Sequence, residues 1–278
     1  MALEGILNLQ QLLDATIGRM QRVQRWSSYG DRRCREDSAT HSLDHTFLGR
    51  TFYEAERVHG DVRDIDGFRL ISALSFHDTG EGMNGDVRWD LKQHPIIGPL
   101  LERMERDAFI RDVIGGFPIE AQAPIIADYD LQDDRESRTG RFFNAIEVAG
   151  YLLRAVAELQ TGGSRLLVLH VFAKQRAALD RHAEEFASIR LLRAHLNPLV
   201  QRELESPDGQ AIVAEVAASR ARTRELRIDD IRTLLDVIPE PIRVKMLAAL
   251  TGANGHTDGP SDGNGAEQPE VVATPVAE

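Results

Sequence analysis

Apolar residues recur along this chain at intervals of three and four, the spacing that lines side chains up on one face of an α-helix. Ile6, Leu9, Leu13, Ile17, Met20 and Val23 trace such a face through residues 6–26. The same period predicts helices over about 40–59, 66–80, 95–106, 119–129, 136–160, 164–187 and 188–204. Gly60, Gly85, Gly115-Gly116 and Gly162-Gly163 punctuate them. No segment alternates apolar and polar residues for long enough to form a sheet, and no internal repeat is visible. The pattern predicts an all-α helical bundle.

Two further helices are expected, over about 208–225 and 228–250. Asp229 or Asp230 can cap the second, in which Ile231, Leu234, Leu235 and Ile238 repeat at helical spacing until Pro239 and Pro241 interrupt. Residues Gly252–Glu278 are rich in Gly, Pro, Asp and Glu and contain no aromatic residue. Such a composition buries too little apolar surface to offset its ordering entropy, so a disordered tail is expected. The organisation read here is a core over 1–205, a helical extension over 206–250 and a tail over 251–278.

Composition narrows the function. The net charge of −11 and an aromatic content of 6% argue against a nucleic-acid partner, whose phosphates and bases call for a basic face and stacking platforms. A small phosphorylated ligand remains compatible. No apolar run approaches the roughly 18–20 residues that cross a bilayer, and the N-terminus does not read as a secretory signal. The single cysteine, Cys34, excludes an intramolecular disulfide. A cytoplasmic location without membrane contact is the expectation.

The chemistry concentrates in Ser75-Phe76-His77-Asp78-Thr79-Gly80-Glu81. Adjacent imidazole and carboxylate, at the end of a helix whose Phe68, Leu70, Ile71, Leu74 and Phe76 are apolar, can share one metal ion. Glu81 rises on the same side if the helix persists, and a carboxylate there can orient or deprotonate water. Upstream, Glu36 and His41 open a second helix, with Asp37 or Ser38 as its cap and Leu43, Phe47 and Leu48 expected to face inward. His41 and His45, four apart, could chelate together, but His45 has no accompanying pattern and stays unassigned, as do His59, His94, His170, His182 and His195.

The run Arg22-Val23-Gln24-Arg25-Trp26, then Glu36 with His41-Ser42, then His77-Asp78, Glu81, Gly85-Asp86 and Lys92 resembles the bacterial HD-domain 5′-deoxynucleotidases. Those proteins carry an Arg-Trp pair ahead of Glu-x-x-x-x-His-Ser, and later His-Asp-x-x-Glu-x-x-x-Gly-Asp. Spacings after Glu36 match, while the loop between Trp26 and His41 is about one residue longer. The resemblance covers roughly residues 12–160 and extends toward 205.

It implies an HD-domain helical bundle and a hydrolase that releases phosphate from deoxynucleoside monophosphates. One divalent ion (Mn, Co, Fe, Zn or Mg) would be held by His41, His77, Asp78 and a fourth oxygen ligand. Glu81 would orient the attacking water, and Asp86 would serve the leaving 5′-oxygen or the water. Arg25 would clamp the phosphate and Trp26 would pack on the sugar. Read from the residues alone, Arg25 is a solvated helix residue, Trp26 an anchor at the end of the first helix and Lys92 a surface lysine. A homodimer is implied as well.

The fourth ligand departs from the pattern. The related proteins place an Asp eight residues after a Glu, and eight residues after Glu136 this chain has Asn144. Glu147, one turn on, can replace it; Asp128 and Asp130 are more remote. Three alternatives therefore stand beside the deoxynucleotidase: a dNTP hydrolase, an alarmone hydrolase, and a nucleotide-binding HD fold with weakened catalysis.

Overall fold

The computed structural model describes residues 16–30, 32–85, 92, 94, 97–225, 243, 244 and 246. Nine α-helices of six or more residues organise the described residues: α1 (Ser38–His59), α2 (Gly67–Phe76), α3 (Thr79–Asn84), α4 (Ile97–Ala108), α5 (Ile119–Tyr129), α6 (Arg138–Gln160), α7 (Arg165–Glu185), α8 (Ala187–Glu205) and α9 (Pro207–Glu225). Among these residues the only β-type pairing is an isolated bridge between Gln24 and Asp37. No described helix is long and apolar enough to cross a membrane.

Helix α6 is the spine, packing against α1, α2 and α7. Phe142, Ile146, Ala149 and Leu152 are fully buried along it and join Leu70, Leu74, Val168, Phe172 and Phe186 in the main core. Gly49 permits the close approach of α1 to α2, since a Cβ there would stand 2.2 Å from Cδ1 of Leu74. A second core forms where a π-helical turn, Phe109–Ile114, stacks Phe109 on Tyr129 at 4.1 Å between centroids. Helix α9 closes on α7 through Ile212, Val216 and Leu169, so the start of the expected C-terminal extension packs on the bundle. Most of the second extension helix and the whole tail lie outside the described residues.

Four helix starts follow from side-chain caps that satisfy backbone N–H groups left open in the first turn. Asp37 accepts from Thr40 at 2.9 Å, Asp66 from Arg69 at 3.0 Å, Ser137 from Gly140 at 3.0 Å and Ser164 from Leu167 at 3.4 Å. Where α2 was expected to continue to residue 80, it stops at Phe76 and a new helix starts at Thr79. The first helix, expected to reach residue 26, ends at Met20 in its described part. Backbone pairing replaces it: Arg25 N–H donates to Glu36 O at 3.0 Å and Ser38 N–H to Val23 O at 3.2 Å.

Helix α1 corrects the expected facing. Its buried face is Ser38, His41, Ser42, His45, Gly49, Phe52 and Glu56, whereas Leu43 and Phe47 are 56% and 67% exposed. With 3.6 residues per turn, a face occupied by positions 41, 45, 49 and 52 turns 43 and 47 outward. Leu48 does pack on the core. Phe68, one of the apolar residues of α2, is 84% exposed at its start. Buried imidazoles in place of buried leucine and phenylalanine need compensating partners.

Candidate metal centre and phosphate pocket

Those partners come from α6 and from the break between α2 and α3. His41, His45, His77 and Glu147 each offer a ligand atom, and the four atoms lie within 4.8 Å of one another. The ring centroids of His41 and His77 are 5.4 Å apart. Glu147 reaches them from α6, with Oε1 3.3 Å from His77 Nε2 and Oε2 3.7 Å from His41 Nε2. Asp78 also approaches, 3.5 Å from each of the same two nitrogens.

The histidine tautomers favour ligation. His41 Nδ1 faces Glu36 Oε1 at 3.4 Å, and His77 Nδ1 donates to Leu74 O at 2.9 Å. An acceptor at Nδ1 holds a proton there and turns Nε2 toward the cluster, the orientation of metal-binding histidines. Both Nε2 atoms are buried without a hydrogen-bond partner. Orphaned buried nitrogens are costly unless something binds them, and here they face two carboxylates. The donor set of imidazoles and carboxylates suits a divalent first-row ion.

Charge supports the same fit. Burial pushes the Glu147 carboxyl up, but the facing histidines outweigh it and hold the group well below the usual range. For Asp78, burial is likewise outweighed, chiefly by Arg25, and its pKa is held at about 2. His41 is pushed down by burial and Arg25, yet Asp78, Glu147 and Glu36 carry it to about 9. The cluster is thus strongly anionic at its oxygens and draws positive charge.

Arg25 is the nearest fixed cation. Its Nη1 donates to Asp78 Oδ2 at 2.5 Å and to Glu81 Oε2 at 2.8 Å, and its Nη2 lies 3.4 Å from the hydroxyl of Tyr151. It is buried beside the cluster, not solvated on a helix. Trp26 follows with φ at 61°, a left-handed conformation that costs a bulky residue roughly 1–3 kcal/mol. Its Nε1 donates to Glu36 Oε2 at 2.6 Å, and its ring meets Tyr151 edge-on at 5.7 Å. Trp26 is therefore half-buried beside the site and does not end a helix.

Glu81 stands at the start of α3, between Arg25 and Lys92. Lys92, expected at the surface, is only 21% exposed; it contacts Glu81 directly and lies 3.2 Å from Glu105. Gly80 allows α3 to press this close, because a Cβ there would stand 2.7 Å from Glu105 O and 2.8 Å from the Tyr129 hydroxyl.

Of the residues singled out in the sequence, Arg25, Trp26, His41, His77, Asp78, Glu81 and Glu147 thus converge. Asn144 does not join the carboxylates through its amide nitrogen, which donates to Gly140 O at 2.8 Å and Gln132 O at 3.3 Å. Asp128 and Asp130 pair instead with Arg69 and Arg106. Asp86 lies outside the described residues. Sequence reasoning weighed His45 and left it unassigned, and it passed over Tyr151 and Glu105. The four-residue step from His41 to His45, and again from Glu147 to Tyr151, was the available signal for the first two.

Comparison with known proteins follows the same line. The family model for 5′-deoxynucleotidase YfbR-like proteins matches residues 13–196. An HD-domain phosphohydrolase from Listeria innocua superposes with a TM-score of 0.56 at 16% identity, covering 76% of this chain and 96% of that one. A predicted metal-dependent phosphohydrolase from Magnetospirillum magnetotacticum MS-1 superposes with a TM-score of 0.51 at 18% identity, covering 72% and 96%. At such identities the likeness speaks for the fold. The comparison with curated proteins gave no match.

Proposed function

The chain belongs to the YfbR-like 5′-deoxynucleotidase family and is a metal-dependent phosphohydrolase, and from that premise we propose that it hydrolyses the 5′-phosphate ester of deoxynucleoside monophosphates at the His41–His77–Glu147 cluster. The carrying observation is that two buried Nε2 atoms without partners face the carboxylates of Glu147 and Asp78, with the Arg25 guanidinium alongside.

His41, His77, Asp78 and Glu147 would hold the divalent ion. When bound, that ion supplies Lewis acidity to the phosphoryl group and lowers the pKa of water. Arg25 binds the phosphate, for which the planar fork of guanidinium donors is well shaped. To do so it exchanges part of its pairing with Asp78 and Glu81 for phosphate oxygens. Glu81 then orients the attacking water, with Lys92 keeping its carboxylate in place. Oxygen from water bonds to phosphorus as the bond from phosphorus to the 5′-oxygen breaks, and the leaving oxygen takes up a proton. On the sequence pattern, that proton is assigned to Asp86. Trp26 and Tyr151 form an aromatic wall beside Arg25, and we assign it to the sugar.

Two further assignments accompany this reading. Leu43 and Phe47, one turn apart on α1, are an exposed apolar pair, which supports a homodimer. Light scattering on purified protein should give twice the chain mass, and Phe47→Glu should reduce it. A small-nucleotide substrate supports a cytoplasmic location, which fractionation tests.

The central test is a panel of deoxynucleoside and ribonucleoside mono- and triphosphates with Mn²⁺, Co²⁺, Zn²⁺ and Mg²⁺, with products identified. Orthophosphate released from deoxynucleoside monophosphates is expected. Release of pyrophosphate or triphosphate would move the reaction to another class, and no turnover with any metal would overturn the proposal.

A further inference from the structure

His45 stands apart from the other two histidines of the cluster. His41 and His77 engage Nδ1 elsewhere and leave Nε2 open. In His45 the Nδ1 atom is already bonded to Glu147 Oε1. Its Nε2 edge lies against the backbone of α6, where a Cβ added to Gly150 would stand 1.9 Å from Nε2. Of the four candidate ligand groups, His45 is the one whose Nδ1 is engaged by Glu147, and its ring fits only because residue 150 has no side chain.

Glu147 needs such a partner. A glutamate has three side-chain torsions, one more than aspartate, and an unheld carboxylate loses rotamer freedom when it must face one point. With Oε1 tied to His45, the carboxylate lies 3.3 Å from Nε2 of His77 and 3.7 Å from Nε2 of His41. Glu147 and Gly150 are three residues apart on α6, so one helix face carries both the carboxylate and the gap that admits its holder.

We infer that His45 is a positioning residue, an Nδ1–H donor that fixes Glu147 as a metal ligand, and that Gly150 is the residue that gives His45 room. The inference rests on the proposed metal site and adds a dependence that the ligands alone do not have. A donor behind a ligating carboxylate typically changes metal affinity 10–100-fold.

The test is calorimetric titration of the full chain with Mn²⁺ and Co²⁺, together with Co²⁺ absorption spectra and circular dichroism to verify folding. His45→Ala should weaken metal binding about 10–100-fold. His45→Asn should recover most of that loss, because an amide N–H replaces the imidazole N–H while supplying no nitrogen ligand. Gly150→Ala should reproduce the loss by expelling the ring. In the His45→Ala background it should add almost nothing, since no ring remains to strike.

If His45→Asn binds as weakly as His45→Ala and its Co²⁺ spectrum shows a lost nitrogen ligand, His45 is itself a ligand and the inference is wrong. Unchanged affinity in His45→Ala also overturns it. Those results differ from failure of the metal site itself, in which the wild-type chain binds no metal or His41→Ala binds as tightly as wild type.

Discussion

Arg25 and Asp78, separated by 53 positions in the chain, meet through Nη1 and Oδ2 at 2.5 Å. The pair joins the loop before α1 to the break between α2 and α3, so the cation expected to grip phosphate also neutralises a metal-facing carboxylate. Removing Arg25 would leave the buried Asp78 carboxylate without its hydrogen-bonded cation, while Glu81 would keep Lys92; loss of such a buried partner typically costs several kcal/mol. Arg25→Ala should lower kcat/KM by roughly 100-fold or more, equivalent to about 2.7 kcal/mol of transition-state stabilisation. Arg25→Lys should recover little, because a point charge does not reproduce the two-nitrogen fork. Steady-state kinetics on deoxynucleoside monophosphates check both. A fully active Arg25→Lys enzyme would remove the clamp.

The loop that carries Arg25 is itself anchored at a distance. Glu158 accepts backbone N–H groups from Arg33 at 2.7 Å, Cys34 at 2.8 Å and Ser164 at 2.9 Å. Arg32 in turn donates to Arg25 O, and Arg154 donates to Cys34 O. Glu158→Ala leaves three backbone donors without their acceptor, so a loss of about 2–3 kcal/mol in unfolding free energy is expected. KM should rise more than kcat falls, because the loop carries the arginine we assign to the phosphate and does not contact the cluster histidines through Glu158. Urea melts and Michaelis–Menten kinetics on the same variant test both halves.

Periodicity made the helices legible, and the local caps explain why: Asp37, Asp66, Ser137 and Ser164 mark starts that the sequence can show directly. Motif spacing made His41, His77, Asp78 and Glu81 legible. Facing was harder. On α1 the polar positions 41 and 45 face inward and the apolar 43 and 47 face out, inverting the rule that hydrophobic residues mark the core. A helix that buries a site obeys the needs of the site before those of burial. Lys92 and Glu105 were opaque for another reason, since their pairing depends on how α3 and α4 approach across Gly80.

The Lys92–Glu105 pair leads to a pH prediction. Burial pushes the Glu105 carboxyl up and the Glu81 charge adds to this; Lys92 opposes, and the group is left at about 7. A carboxyl raised above its unfolded value of roughly 4.3 binds its proton more tightly when folded. Its contribution to stability is complete below about pH 4 and is lost as pH rises toward 7, at no more than roughly 1.4 kcal/mol per pH unit. Glu105→Gln should flatten that part of the stability profile. Melting temperatures of both proteins across pH 4–8 test it, and parallel profiles would show that Glu105 is not the group responsible.

Asn144 and Glu147 make opposite predictions about the fourth ligand. If position 144 were the defective ligand, Asn144→Asp would add the missing charge and strengthen metal binding. The structure has the Asn144 amide donating to Gly140 O and Gln132 O, which a carboxylate cannot do, while Glu147 already faces both open imidazoles. Asn144→Asp should therefore leave metal affinity within about twofold of wild type and reduce stability by roughly 1 kcal/mol from the lost donor. Glu147→Gln should lower metal affinity by far more, because it replaces an anionic ligand with a neutral one beside two imidazoles. Calorimetric titration of both variants with Mn²⁺ decides between the positions. Tighter binding in Asn144→Asp would return the ligand role to residue 144.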